Sequence, residues 1–105
     1  MGILWFGKAT TLEDLKEKDL KNERLVQEVQ QDQLVTRRKN AQGEYDALLE
    51  AASEPGLTDS EIDVAAYKME QAGKRRDRAE NDLQHVLTRM SVLDSTLDLL
   101  QQRAA

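Results

Sequence analysis

Apolar residues recur along the second half of the chain in alternating steps of three and four residues. The series runs for more than five heptads and contains one polar member, Arg76. Such a sustained a/d repeat is typical of a helix in a coiled coil. Its early members include several alanines, which let a partner helix approach closely, and its later members are larger. The series comprises Ile62, Ala65, Met69, Ala72, Arg76, Ala79, Leu83, Val86, Met90, Leu93, Leu97 and Leu100.

The first half of the chain carries a broader and less regular apolar stripe. A helix that is apolar on more than one side needs more than one packing partner. We therefore expect this helix to pack against the second one and self-association to cover the apolar residues left over. The stripe comprises Leu12, Leu15, Val26, Val29, Leu34, Ala41, Tyr45, Leu48 and Ala52, with Leu20, Leu25, Val35 and Leu49 at or beyond its edges.

The segment S-E-P-G-L-T-D at residues 53–59 separates the two halves. Pro55 disfavours helical geometry at the residue before it, and Gly56 permits a positive φ. Thr58 and Glu61 have the spacing of a capping box, which starts a helix. The segment therefore predicts a tight turn followed directly by a helix.

These patterns predict an all-α protein, a long antiparallel two-helix (coiled-coil-like) hairpin with a short N-terminal amphipathic segment. The segment covers residues 1–9 and the hairpin residues 10–105. Thr10 or Thr11 is expected to cap the first helix. The expected bounds are about 11–53 for the first helix, 54–58 for the turn and about 59–103 for the second helix.

A turn centred near Gly56 also predicts the register of the hairpin. Facing residues should have numbers that add up to about 113. Leu34 would then face Ala79, and Leu48 would face Ala65, so that large residues meet small ones. A hairpin of only two helices buries little surface, and we expect it to be marginal as a monomer.

Composition narrows the range of functions. The 105 residues are 33% charged and 4% aromatic, with one proline and no cysteine, which is close to the profile of long helices. No stretch approaches the ~20 apolar residues of a membrane-spanning helix. His85 is the single histidine, and the carboxylates are spread along the helices as solvated charges. We therefore expect no catalytic residue, metal site, cofactor or small-molecule substrate, and predict that the protein is not an enzyme.

Two basic clusters interrupt a chain whose net charge is −5. In the expected register they lie opposite each other and form one belt halfway along the rod. Like charges side by side are costly unless acidic groups or phosphates offset them. Two interpretations stay open: acidic residues of the same or a neighbouring hairpin pair with the belt, or phosphates of lipid or nucleic acid bind it. The belt comprises Arg37, Arg38, Lys39, Lys74, Arg75, Arg76 and Arg78.

The chain opens with M-G-I-L-W-F-G-K, which contains its only Trp and its only Phe. These residues precede the expected helix cap and lie beyond the reach of the hairpin interior. They either pack on the first turns of their own helix or of a neighbouring protomer, or insert between lipid headgroups and acyl chains. Four apolar residues bind lipid weakly, so stable attachment requires many copies acting together. The candidate membrane-binding residues are Ile3, Leu4, Trp5, Phe6 and Lys8.

The pieces M-G-I-L-W-F-G-K at 1–8, T-T-L-E-D-L at 10–15 and the hairpin at 11–103 together resemble the ESCRT-III proteins and their bacterial relatives of the phage-shock protein A type. The resemblance implies a cytoplasmic protein, peripheral on an anionic membrane, that polymerises with itself or with related family subunits. Two features depart from the family. Its first helix is usually strongly basic, whereas residues 12–53 carry ten acids and seven bases, and its chains continue into further helices that carry disassembly signals.

The leading hypothesis is therefore a peripheral membrane-binding subunit that self-assembles into filaments or coats and scaffolds or remodels membrane. The alternative is a soluble coiled-coil adaptor that binds a protein partner through its helical faces and N-terminal apolar residues. A nucleic-acid-binding hairpin is a third hypothesis, which the acidic net charge disfavours.

Overall fold

A computed structural model of the protein describes residues 12–104, and the side-chain environments of residues 16–103. The described chain forms two helices, α1 (Leu12–Ala52) and α2 (Asp59–Ala104), which pack against each other along most of their length. The molecule measures 74 × 30 × 13 Å. The predicted all-α hairpin is thereby confirmed. The segment 1–9 and both candidate caps of α1, Thr10 and Thr11, lie outside the described residues.

The turn between the helices forms in the way the sequence predicts. Gly56 has a φ of 87°, in the left-handed region that glycine adopts without a Cβ clash. The Glu61 N–H donates a hydrogen bond to Thr58 Oγ1 at 3.2 Å, and the Thr58 N–H donates one to the Glu61 carboxylate at 3.2 Å. This reciprocal pair is a capping box, and it satisfies two backbone donors that a helix start would otherwise leave unpaired.

The seam of α2, meaning the face that packs on α1, matches the predicted heptad positions. Each of these positions except Ile62 is buried or half-buried. Ala72, Ala79, Leu83, Val86 and Leu97 are the most enclosed apolar members. Ile62 stays 44% exposed, because the residue opposite it in the observed register belongs to the turn and not to α1.

The seam of α1 differs from the predicted stripe. Leu34, Ala41 and Tyr45 are enclosed as expected, whereas Val26 and Val29 point to solvent. The seam follows strict steps of three and four, and on that repeat neither valine shares a face with Leu34. Polar residues occupy the positions that the apolar stripe was expected to fill. The observed seam comprises Leu20, Arg24, Gln27, Gln31, Leu34, Arg38, Ala41, Tyr45, Leu48 and Ala52.

The register also corrects the expectation based on the turn. The side-chain bonds Arg24–Asp94, Arg38–Glu80, Gln42–Arg76 and Glu44–Arg75 all cross the hairpin. The residue numbers in each pair add up to 118 or 119, not 113. The difference arises because the meshing of the two seams sets the register, and the six-residue turn is long enough to follow it.

The shifted register changes what the core contains. Leu34 packs with Leu83 and Val86, and not against Ala79 alone as predicted, while Val35 and Met90 cover this small cluster. Large residues therefore meet large ones at this level of the hairpin. Among the described side chains, ten large apolar ones remain exposed outside this cluster. These are Leu25, Val26, Val29, Leu49, Ile62, Val64, Tyr67, Leu87, Val92 and Leu99.

Candidate functional site

The observed register divides the predicted basic belt between two faces of the hairpin. Arg37, Arg75 and Arg78 line a groove on one face, together with Glu44 and Asp82. Arg38, Lys39 and Arg76 line a groove on the other face, together with Asp46 and Glu80. Members of both clusters thus meet in each groove, and the observed register offsets them along the rod so that they do not lie directly opposite each other. The single ring of like charges that the sequence suggested does not form.

Carboxylates and an amide satisfy most of the belt from within the chain. The Arg75 guanidinium lies 2.6 Å from Glu44 Oε2, and the Arg38 guanidinium lies 3.2 Å from Glu80 Oε2. Lys74 pairs with Glu70 one turn earlier at 3.3 Å. All of these pairs are solvent-exposed, so each contributes about 0–1 kcal/mol to stability. The first interpretation, pairing within the hairpin, therefore applies to these three cations.

Arg76 is the most enclosed member of the belt and lies at a seam position. Its Nη1 donates to Gln42 Oε1 at 3.0 Å, and its Nε donates to Asp77 Oδ1 at 3.0 Å. The guanidinium carbon lies 5.4 Å from the centroid of the Tyr45 ring, within the range of a cation–π contact. Gly73, which is buried, lies beside that ring. Arg76 thus joins the two helices and is a structural member of the seam.

Three arginines on the first face are not paired in this way. Among the described side chains, no carboxylate oxygen lies within 4.0 Å of a nitrogen of Arg37, Arg78 or Arg89. Arg37 and Arg89 line a second groove further along the same face, with His85 and Asp82. Together with Lys39 on the other face, which also makes no ion pair with a described carboxylate, these arginines remain available to a partner.

The charges of α2 are sorted onto opposite sides of its seam. One side carries a row of residues spaced by seven: Lys68, Arg75, Asp82 and Arg89. Arg78 lies beside this row. We call the four cations, Lys68, Arg75, Arg78 and Arg89, the cationic flank. On the other side no α2 cation occurs between residues 63 and 98. We call that row the acidic flank; it comprises Asp63, Glu70, Asp77, Glu80, Asp94 and Asp98.

The two flanks could have been predicted from the sequence, but only the two basic clusters were considered in the sequence analysis. Lys68 and Arg89 lie outside the two basic clusters, so a search for runs of like charge does not find them. Assigning each charge to a heptad position relative to the seam would have separated the two flanks.

The end of the hairpin away from the turn is held by polar contacts across the seam. Arg24 donates to Asp94 Oδ1 at 2.5 Å and also bonds Glu28. The hydrogen bond to Asp94, and to a lesser extent the one to Glu28, raises the pKa of Arg24 above its usual value. Gln27 is almost fully buried, and its Oε1 has no hydrogen-bond partner among the described groups. A seam with these polar residues packs less well than the Leu34 cluster.

The remaining predicted site residues are Ile3, Leu4, Trp5, Phe6 and Lys8, which lie outside the described residues. Within the described range, no group of three or more His, Asp or Glu side chains is arranged to hold a metal ion. No helix in that range combines the length and apolar character needed to cross a membrane. The described part of the site is therefore a pair of charged, partly apolar surfaces.

Comparison of the chain with protein-family models, curated proteins and solved structures finds no match.

Proposed function

We propose that this protein is a peripheral, cytoplasmic membrane-binding subunit that self-assembles into filaments or coats and scaffolds or remodels membrane. Ile3, Leu4, Trp5 and Phe6 insert into the lipid interface, and Lys8 meets anionic headgroups. Self-association supplies the many copies that such a short insertion requires. The hairpin acts as the rigid body that joins one copy to the next.

The observation that carries the proposal is the mismatch between the length of the hairpin and its thin core. Along a rod 74 Å long, ten large apolar side chains among those described are at least 38% exposed. They occur on both faces and on the outer edges, whereas a monomer normally keeps such residues few and scattered. Surface of this kind, spread along a whole molecule, favours contact with several neighbours.

The second support is the position of the N-terminal segment relative to the hairpin. The turn closes one end of the rod, and α1 begins at Leu12 at the other end. The apolar N-terminal residues precede Leu12 by only a few positions. In an array of parallel copies these segments would line up at one edge, where they could act on the same membrane.

Liposome co-sedimentation tests the membrane part of the proposal. The wild type is expected to sediment with anionic liposomes, and Trp5→Ala/Phe6→Ala is expected to lower the bound fraction at least about tenfold, because each lost aromatic side chain contributes about 1.5–3 kcal/mol when buried. The matched control is Val29→Ala/Tyr67→Ala, which removes two exposed apolar side chains on the outer edges of the hairpin and should bind as the wild type does.

Two outcomes contradict this part of the proposal. A wild type that sediments with neither anionic nor neutral liposomes removes the membrane role and leaves the coiled-coil adaptor as the function to pursue. Equal loss of binding in the control and in the N-terminal variant would show that general apolar exposure, and not the N-terminal segment, drives sedimentation.

A further inference from the structure

We infer that the protein assembles with itself through the two flanks of α2, the cationic flank of one copy lying against the acidic flank of the next. The inference deepens the proposed function and rests on its self-assembly part. It names the surfaces that meet, and it follows from where the fold places the charges of α2.

The first step is the separation of charge. The seam of α2 packs on α1, so the residues beside the seam occupy the two broad faces of the hairpin. The grooves along one face include Lys68, Arg75, Arg78 and Arg89. On the opposite side of α2, the charged side chains between residues 63 and 98 are all carboxylates, and Arg38 and Lys39 of α1 border them near Glu80. The two flanks of α2 therefore carry opposite charge, and such surfaces attract each other while like ones repel.

The second step is that the charges remain available. Lys68, Arg78 and Arg89 have no carboxylate within 4.0 Å among the described side chains. On the acidic flank Glu70, Asp77, Glu80 and Asp94 make ion pairs within the hairpin, but their side chains stay 49–72% exposed. A carboxylate can accept about four hydrogen bonds, so a partner's cation can still bind it.

The third step is the match in spacing. Lys68 and Arg75 are seven residues apart, as are Asp63, Glu70 and Asp77. Each heptad rises about 10.5 Å along a helix. When two copies point the same way and lie level, each cation falls close to an acidic residue along this stretch. Lys68 then lies near Glu70, and Arg78 lies near Asp77.

Apolar side chains on both faces add contact area to this charge pattern. Val64, Val92 and Leu99 lie beside the cationic flank and are 53–60% exposed. Leu49 and Leu87 lie on the face of the acidic flank and are 48% and 38% exposed. Stacking one face on the other removes part of both sets from water, which favours association.

The two flanks are different surfaces, so the contact is heterologous. A stack of copies still exposes one unused cationic flank at one end and one unused acidic flank at the other. Such an interface continues until a rotation closes it, and gives rings or open filaments. A closed pair with two-fold symmetry would instead bring like flanks together.

Charge reversal with complementation tests the inference. One variant, Lys68→Glu/Arg78→Glu, makes both flanks acidic, and the other, Glu70→Lys/Asp77→Lys, makes both flanks cationic in this stretch. Each alone is expected to raise the concentration for half-assembly at least about tenfold in sedimentation velocity. An equimolar mixture is expected to regain assembly, because copies of the two variants can alternate.

The matched control is Asn22→Asp/Thr36→Asp/Asn81→Asp/Ser95→Asp, which has the same net charge as the first variant. All four positions are exposed and lie on the outer edges of the two helices, away from both flanks. This control should assemble as the wild type does. Circular dichroism on all variants should show the helical signal of the wild type, which keeps loss of folding separate from loss of contact.

Three results overturn the inference. The first is wild-type assembly by either variant alone, and the second is a mixture that assembles no better than its components. The third is a wild type that is monomeric in solution and gives no intermolecular carboxyl–amine cross-link on anionic liposomes. Because assembly is measured without lipid, complementation can succeed even if liposome binding fails. Conversely, if the wild type binds lipid but the mixed variants do not assemble, the membrane role stands and the two flanks are rejected as the contact between copies.

Discussion

Gln27 shows how a single residue weakens one end of the hairpin. Its side chain is 1% exposed, and its Oε1 accepts no hydrogen bond from any described group, although its Nε2 donates to Glu23 at 2.9 Å. A buried polar atom without a partner costs about 1–3 kcal/mol. An apolar side chain at this seam position would make the folded hairpin more stable.

Gln27→Leu is therefore expected to stabilise the protein by about 1–2 kcal/mol, since it removes the unpaired oxygen and adds apolar burial. Thermal unfolding followed by circular dichroism measures the change at a fixed protein concentration. The matched control, Gln33→Leu, places the same substitution at an exposed position of α1 and should change stability by less than about 0.5 kcal/mol. A lower midpoint for Gln27→Leu would contradict the assigned burial.

Two glycines should respond to alanine in opposite directions. Gly56 has a φ of 87° in the turn, so Gly56→Ala should destabilise by about 1 kcal/mol through the strained backbone. Gly43 lies within α1, and an added Cβ there meets nothing within 4 Å. Gly43→Ala should stabilise by up to about 1 kcal/mol because alanine favours the helix. Denaturant unfolding of both variants tests the pair, and equal signs would refute the prediction.

At the scale of the elements, α2 supplies most of the apolar packing and α1 supplies the polar half of the seam. Leu83 and Val86 are 4% and 5% exposed and enclose Leu34. Towards the open end, the α2 residues Met90 and Leu93 lie level with the polar stretch from Arg24 to Gln31. We expect the two helices to separate first at this end, because its apolar contacts are few.

Leu83→Ala should cost about 2–4 kcal/mol of unfolding free energy, since the substitution opens a cavity in the one well-enclosed cluster. Its matched control is Leu87→Ala, one turn further along α2, where the side chain is 38% exposed. That change should cost less than about 1 kcal/mol. Urea unfolding at equal protein concentration compares them. Similar losses would mean that another copy covers Leu87, which the concentration dependence of the transition would reveal.

At the scale of the whole molecule, the hairpin is a thin ribbon with two unlike faces. Its compact dimension is 13 Å, little more than the diameter of one helix, so nearly every side chain lies in the seam or at a surface. Stability and assembly are therefore linked: whatever covers the exposed apolar residues also stabilises the fold. The reversal and complementation experiment addresses this scale directly, and high salt should weaken the same contact by screening its exposed charges.

Much of this architecture could be predicted from residue patterns. The capping box at Thr58 and Glu61 and the positive φ at Gly56 depend on neighbours in sequence, and both were confirmed. The heptad of α2 was also confirmed, because its apolar residues are dense and regular. The stripe of α1 was wrong at Val26 and Val29, since Arg24, Gln27 and Arg38 take seam positions that a search for apolar residues overlooks.

The candidate site depended on a quantity that local patterns do not contain. The sequence revealed the two basic clusters. Placing them opposite each other, however, depended on the register of the hairpin. The numbers of facing residues add up to about 118 in the structure, five more than the expected 113. That shift places Arg38 against Glu80 and Arg75 against Glu44. The cations of the predicted belt are therefore divided between two faces of the hairpin. The membrane-binding residues from Ile3 to Lys8 remain a prediction.

The sequence by itself determined the two helices, their turn and the seam of α2, because capping, glycine geometry and a dense heptad act over a few residues or one helical repeat. Only the tertiary structure decided the seam of α1, the register and the division of the basic belt between two faces. These depend on how two seams mesh across the hairpin. The energy of that meshing is a sum over residues far apart in the chain, and one turn of sliding changes every pair at once.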